Sequence, residues 1–144
     1  MILSRRLALG LIAGGLLAVA GCNAPTTSGT LHIEDAWART TAPGATTGAG
    51  YMTLVNDGVA DRLVSASSPA ADKVELHESA MDGMVMTMRP LGPVGIKAGA
   101  TLALAPNGKH LMFTGLKAPF VAGAKVPVDL TFEIGGVRRV ELEV

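Results

Sequence analysis

The chain has 144 residues, 49% of them apolar, which is enough for one domain with a real core and too few for two comfortable ones. Twelve basic residues balance twelve acidic ones and no basic cluster stands out, which excludes a nucleic-acid partner of the usual electrostatic kind. The single cysteine, Cys22, leaves no means of forming an internal disulfide, a CxxC redox pair or a cysteine nucleophile in the body of the chain.

Residues 1–21 read as a signal peptide. Arg5 and Arg6 form the charged start, Leu7 to Ala20 form an uncharged apolar run too short for a membrane span, and Val19-Ala20-Gly21-Cys22 resembles a bacterial lipobox. That resemblance implies cleavage before Cys22 and lipidation of its thiol. Ser4-Arg5-Arg6-Leu7 also resembles a twin-arginine export signal, though paired arginines are common in ordinary signal peptides. Loss of the segment leaves ten basic against twelve acidic residues. Residues 22–30, rich in Thr, Ser, Pro and Gly, are suited to a flexible tether, which leaves 31–144 as the folded domain.

From Leu31 onward, short alternating apolar runs are broken by turn residues and no window has a helical period, so the domain reads as all-β. The expected strands are Leu31 to Arg39, Gly50 to Asn56, Asp61 to Ser67, Lys73 to Glu78, Met84 to Met88, Thr101 to Ala105, His110 to Thr114, Val126 to Ile134 and Val137 to Val144. Separators include Asn56-Asp57-Gly58, Asp82-Gly83, Pro106-Asn107-Gly108 and Gly135-Gly136. This spacing predicts a Greek-key β-sandwich of two sheets. Thr40 to Gly50 reads as a long surface connection.

Methionine and histidine carry the chemical signal. Five of the seven methionines and two of the three histidines lie between His77 and Met112. Thioether sulfur and imidazole nitrogen suit a soft metal such as Cu(I). With Asp82-Gly83 as a two-residue hairpin turn, His77 is expected opposite Met88, Ser79 opposite Met86 and Met81 opposite Met84. His77, Met81, Met84, Met86 and Met88 then share one face with Lys73 and Glu75, while Val74, Leu76 and Val85 form the core face. Clustered methionine also serves as adaptable core filler, but filler has no use on the face opposite Val74 and Leu76. In His110-Leu111-Met112, the first and third residues project together and Leu111 points away. Met52 reads as core or as a neighbour of the site, and His32 as a solvent-facing residue. Trp37 and Arg39 read as packing and a surface ion pair.

The spacing His77, ten residues, Met88, twenty-one residues, His110, one residue, Met112 resembles the periplasmic copper chaperones called PCuAC, the copper chaperone of the CuA site. Asp35-Ala-Trp37-Ala-Arg39, Tyr51-Met-Thr-Leu-Val-Asn56, Asp61-Arg-Leu63, Val74-Glu-Leu-His77-Glu78, Met88-Arg-Pro90 and Gly115-Leu-Lys117 extend the likeness from about Leu31 to Val144. The resemblance implies a cupredoxin-like fold that holds one Cu(I) per domain through His77, Met88, His110 and Met112. It also implies delivery of the ion, in the periplasm or cell envelope, to an acceptor protein such as the CuA domain of a haem-copper oxidase, or to another copper carrier. Met81, Met84 and Met86 are auxiliary sulfur candidates: entry or exit ligands, a docking surface, or a shield. The His- and Met-rich tail of some members is missing from this sequence. Anchoring to a membrane through Cys22 departs from the family's more usual soluble form. An enzyme is not expected, since no triad, carboxylate pair or phosphate loop is visible. A blue-copper electron carrier would need a Cys thiolate ligand, and the only Cys is the expected lipid anchor. A copper-buffering lipoprotein shares every ligand with a chaperone and stays open as the alternative.

Overall fold

The structure is a computed structural model that describes residues 30–144; the signal peptide, Cys22 and all but the last residue of the tether lie outside the described residues. Ten strands follow one another: β1 (Leu31–Ala38), β2 (Thr47–Asn56), β3 (Asp61–Ser67), β4 (Ala71–Asp82), β5 (Val85–Pro90), β6 (Val94–Ile96), β7 (Thr101–Leu104), β8 (Lys109–Leu116), β9 (Lys125–Phe132) and β10 (Gly136–Glu143). No helix occurs among the described residues, and the all-β single domain expected from the alternation is what forms.

Hydrogen bonding runs β4-β8-β2-β1-β10-β9-β3 and returns to β4, so seven strands of one continuous sheet close into a ring. The seams are thin. The parallel β1–β10 contact registers only Trp37 with Glu143, and β3–β4 registers only Ala66 with Val74. β5 extends the sheet beyond β4, β6 edges β3, and β7 pairs with the C-terminal half of β2.

Inward-facing residues from all sides of the ring fill it. Val128, Leu130 and Phe132 on β9 alternate inward and meet Leu142 of β10, Leu54 of β2 and Leu111 and Phe113 of β8, all fully or almost fully buried. Burial of each such side chain is worth about 1.5–3 kcal/mol. Phe113 packs edge-on against Phe120 with ring centroids 5.3 Å apart.

Several expectations need correction. β2 begins at Thr47, so the supposed connection from Thr40 to Gly50 ends in strand, where the small residues have a use. A Cβ on Gly48 would fall 2.8 Å from Phe120 Cε2, and one on Gly50 would fall 2.7 Å from Leu142 Cδ1. Strand β6 is missing from the expected set, because the three residues between Pro93 and Lys97 carry too short a pattern. Asn56, read as part of a turn, is buried: its amide donates to the carbonyls of Val59 (2.8 Å), Ile96 (3.0 Å) and Lys97 (3.3 Å), and its Oδ1 accepts from Gly58 N–H at 3.0 Å. Val85 is exposed, not core, because the β4–β5 hairpin runs past the end of the ring and every residue of β5 faces solvent.

Candidate functional site

The β4–β5 hairpin turns on Gly83-Met84, with Asp82 opposite Val85. Gly83 has φ +63°, which suits a primed turn with glycine at its first central position. The expected turn on Asp82-Gly83 is therefore off by one residue. His77 stands opposite Pro90, Ser79 opposite Met88, and Met81 opposite Met86, in place of the expected His77–Met88, Ser79–Met86 and Met81–Met84 pairs. Each partner moves by two positions, which preserves the side-chain parity. Met86 and Met88 thus keep the face of His77, with Met88 diagonal to it. Met84 leaves the ladder for the tip, 97% exposed.

On its other side β4 pairs with β8, placing His77 directly opposite His110 and Glu75 opposite Met112. The two imidazoles have centroids 6.1 Å apart, inclined by 54°. Leu111, between His110 and Met112, is in the core as its alternation requires. The sequence motif is therefore assembled across three adjacent strands: Met88 on β5, His77 on β4, and His110 and Met112 on β8.

The imidazoles are more covered than a simple outward face suggests. His110 is 3% exposed and the His77 side chain 17%. The ring of Tyr51, on β2, lies 6.4 Å from that of His110 and 4.5 Å from that of Trp37, and the Arg39 guanidinium sits 5.9 Å from the Tyr51 ring centre. Arg39 was expected to make a surface ion pair; it caps this aromatic stack instead. The Trp37–Tyr51 contact depends on a bulge in β1 between Glu34 and Trp37, where Asp35 takes φ +49°. Sequence spacing gave no sign of Tyr51 as a site neighbour, since its partners lie on other strands.

His110 Nδ1 is 3.1 Å from the Gly108 carbonyl oxygen. A carbonyl only accepts, so Nδ1 carries the proton and Nε2 keeps a free lone pair. The same carbonyl accepts the Ser79 N–H at 3.1 Å, so one turn residue fixes both the histidine tautomer and the β4 backbone. Asn107, with φ +65°, makes that turn. His77 differs: both its ring nitrogens are buried and neither has a hydrogen-bond partner among the described residues. Its Nε2 is 3.6 Å from Glu75 Oε2, an electrostatic contact too long for a hydrogen bond. Lys73 Nζ approaches Glu75 Oε1 to 2.7 Å, and the hydrogen bond from Lys73 is the main reason the Glu75 carboxyl is held below its ordinary pKa.

A cleft of about 630 Å³ opens beside His110, lined by Arg39, Tyr51, Met86, Met88, His110 and Met112 among others, and His77 lies behind this lining. Met81, Met86 and Met88 are 62%, 49% and 53% exposed. On the opposite face, Glu78 binds Arg89 at 2.8 Å and Lys109 at 3.3 Å, bracing β5 and β8 to β4 where the core no longer reaches. Met52 is core, and the half-exposed His32 pairs with Asp57 at 3.3 Å.

The donor set is thus two imidazoles with thioethers beside them. Among the described residues no three His, Cys, Asp or Glu side chains gather to hold a metal ion. An ion about 2 Å from a nitrogen of each ring puts the ring centres roughly 6 Å apart only when the two nitrogens approach it from nearly opposite sides, and the 6.1 Å separation fits an ion held in that way. Thioether donors favour a soft ion over a hard one.

Fold and donor arrangement define the class as a PCuAC-type β-domain. The chain is similar to the copper-bound PCuAC domain from PmoF2, with a TM-score of 0.68 and 24% identity over 81% of this chain and 93% of that one. It is also similar to the Cu(I) form of DR1885 from Deinococcus radiodurans, with a TM-score of 0.60 and 31% identity over 85% of this chain and 82% of that one. "Putative lipoprotein Lxx21020" from Leifsonia xyli subsp. xyli (strain CTCB07) is 34% identical over 143 residues, covering 92% of this chain and 86% of its own. The family model described as "Putative lipoprotein LpqE-like" matches residues 31–144, and the chain belongs to this LpqE-like family.

Proposed function

We propose that the protein is a Cu(I) carrier of the cell envelope. It holds one ion through His77, Met88, His110 and Met112 and passes it to an extracytoplasmic acceptor, such as the CuA centre of a haem-copper oxidase. The observation that carries this reading is His77: two buried ring nitrogens without a hydrogen-bond partner among the described residues, facing His110 across one ladder. An unpaired buried polar group costs about 1–3 kcal/mol, and an ion bound to the lone pair of one His77 nitrogen would remove that nitrogen's share of the cost. The copper-bound PCuAC domain from PmoF2 and the Cu(I) form of DR1885, both similar in structure, support the choice of metal.

Four neutral ligands of mixed exposure suit transfer. The exposed thioether of Met88 can be exchanged for an incoming donor first, while the covered imidazoles hold the ion until a replacement is in place. Membrane attachment through Cys22 is supported by the lipoprotein names of the family and of the relative. It would confine delivery to acceptors within reach of the tether.

Cu(I) titration with X-ray absorption, on the parent protein and on His77→Ala, Met88→Ala, His110→Ala and Met112→Ala, tests the site. Each change is expected to lower affinity and remove its own nitrogen or sulfur scatterer, and unchanged coordination in all four would refute the assignment. Delivery is separated from buffering by incubating the Cu(I)-loaded protein with an apo CuA domain. Failure to metallate it, combined with rescue of a copper-sensitive strain, would favour a buffering lipoprotein.

A further inference from the structure

The Met81–Met86 pair lies outside the four-residue site, and its placement has a chemistry of its own. The two residues are directly opposite on β4 and β5, so their Cβ atoms are about 4.5–5.5 Å apart on the same face. Both are exposed, where a thioether gains nothing as core filler. Over the length of the hairpin their shared face is neutral: going inward come Ser79 opposite Met88, then His77 opposite Pro90, and the first charged residue on that face is Glu75 beyond His77. The charged residues of this segment, Glu78, Asp82 and Arg89, alternate onto the other face. Met86 also lines the cleft that contains Met88, His110 and Met112.

Exposure falls along this path from the 62% of Met81 to about half for Met86 and Met88, then to 17% for the His77 side chain and 3% for His110. Donor strength rises in the same direction, from a pair of thioethers to a mixed set with two imidazoles. A two-thioether pair has little affinity for Zn(II), Mg(II) or Cu(II), which prefer nitrogen or oxygen donors, but it does bind Cu(I) and Ag(I). Methionine binds a metal without releasing a proton, and its three rotatable bonds let the sulfur follow a moving ion.

We propose that Met81 and Met86 form an outer, weaker site for a soft monovalent ion, which receives Cu(I) from solution or from a donor and feeds it to the inner site by way of Met88. The inference rests on the inner site being a Cu(I) site. It adds a selective entrance: ions that ignore thioethers are not drawn to the hairpin, and one that binds them has its next sulfur two residues further along β5.

The test uses Ag(I) as a redox-inert probe, with the methionine ε-methyl groups labelled and observed by NMR. The first equivalent is expected to shift the Met88 and Met112 methyls, and further equivalents those of Met81 and Met86. In a Met81→Leu/Met86→Leu variant the first-equivalent shifts should be unchanged. Loading of Cu(I) from a competing chelator should be slower than in the parent, with the same final occupancy. If Met88 and Met112 respond but excess Ag(I) leaves Met81 and Met86 unmoved, or if the variant loads at the parental rate, the outer site is refuted while the inner one stands. If Met88 and Met112 do not respond, the inner site itself fails, and the outer site fails with it.

Discussion

His77 and His110 face each other directly across the β4–β8 ladder, 6.1 Å apart between ring centroids, yet only one of them is hydrogen-bonded. Gly108 holds His110 through Nδ1, whereas neither ring nitrogen of His77 has a hydrogen-bond partner among the described residues, and Nε2 has only the 3.6 Å approach of Glu75 Oε2. The metal-free protein therefore carries a cost at His77 that an apolar residue of similar size would not carry. His77→Leu is expected to leave the metal-free protein as stable as the parent or more stable by up to about 1 kcal/mol, while abolishing high-affinity Cu(I) binding. Urea unfolding with and without Cu(I) checks both halves; a marked loss of metal-free stability would show that His77 is already satisfied.

Ligand linkage gives a second test. Free Cu(I) at a hundred times Kd should stabilise the parent by about 2.7 kcal/mol. Met88→Ala and Met112→Ala should reduce that gain, and Met88→Ala should change metal-free stability least because β5 is exposed throughout. Thermal unfolding under anaerobic conditions measures the difference. Zn(II) is expected to produce a smaller rise than Cu(I), since two of the four donors are thioethers.

Gly50 is small because of what lies over it. In Gly50→Ala the new Cβ would be 2.7 Å from Leu142 Cδ1 and 3.0 Å from Phe113 Cε2, both in the closed core. Repacking at this point is expected to cost about 1–3 kcal/mol, read as a lower urea midpoint with an unchanged slope. Gly92→Ala, where no atom lies within 4 Å of the added Cβ, is the control and should be near neutral.

Asn56 donates to three carbonyl groups, those of Val59, Ile96 and Lys97, from a buried side chain. Asn56→Ala loses these bonds and is expected to cost about 2–3 kcal/mol. Asn56→Asp should be worse at neutral pH, because it sets a carboxylate that only accepts against carbonyls that only accept. Part of that loss should return in mild acid as the carboxyl gains a proton to donate. Chemical denaturation at two pH values distinguishes the variants.

Asp61 ties the β9–β10 turn to β3, accepting the N–H groups of Ile134 and Gly135, each at 2.9 Å. Partial burial raises its pKa, but the N–H groups of Ile134, Arg62 and Gly135 and the charge on Arg138 outweigh this and hold it below the ordinary value. A carboxyl with a lowered folded pKa contributes stability above its unfolded pKa and loses it as pH falls through the folded one. Stability is therefore expected to decline below about pH 4. The decline should be shallower in Asp61→Asn, whose side chain does not titrate. Glu75, Glu78 and Asp129, also held low by cationic neighbours, leave a residual slope.

Much of this molecule was legible because strand parity survives errors of register. The alternation of Val74 and Leu76 with Glu75 and His77 marks the more and the less buried face of β4 correctly, and on β8 it sets Leu111 on the core side of His110 and Met112, although His110 is itself buried. The hairpin turn was misplaced by one residue, yet Met86 and Met88 kept their face because each partner moved by two. Val85 was assigned to the core because alternation reports a face and not whether anything packs against it.

The sequence by itself determined an all-β domain, the candidate donor side chains, and which of them share a face, since these follow from residue chemistry and the two-residue period of a strand. Tertiary structure alone decided how the sheet closes, that His77 stands opposite His110 with Met88 diagonal to it, and that Tyr51, Trp37 and Arg39 gather beside His110. Those contacts join strands far apart in the chain. Their register is set by turns, a bulge and core packing that no local pattern encodes.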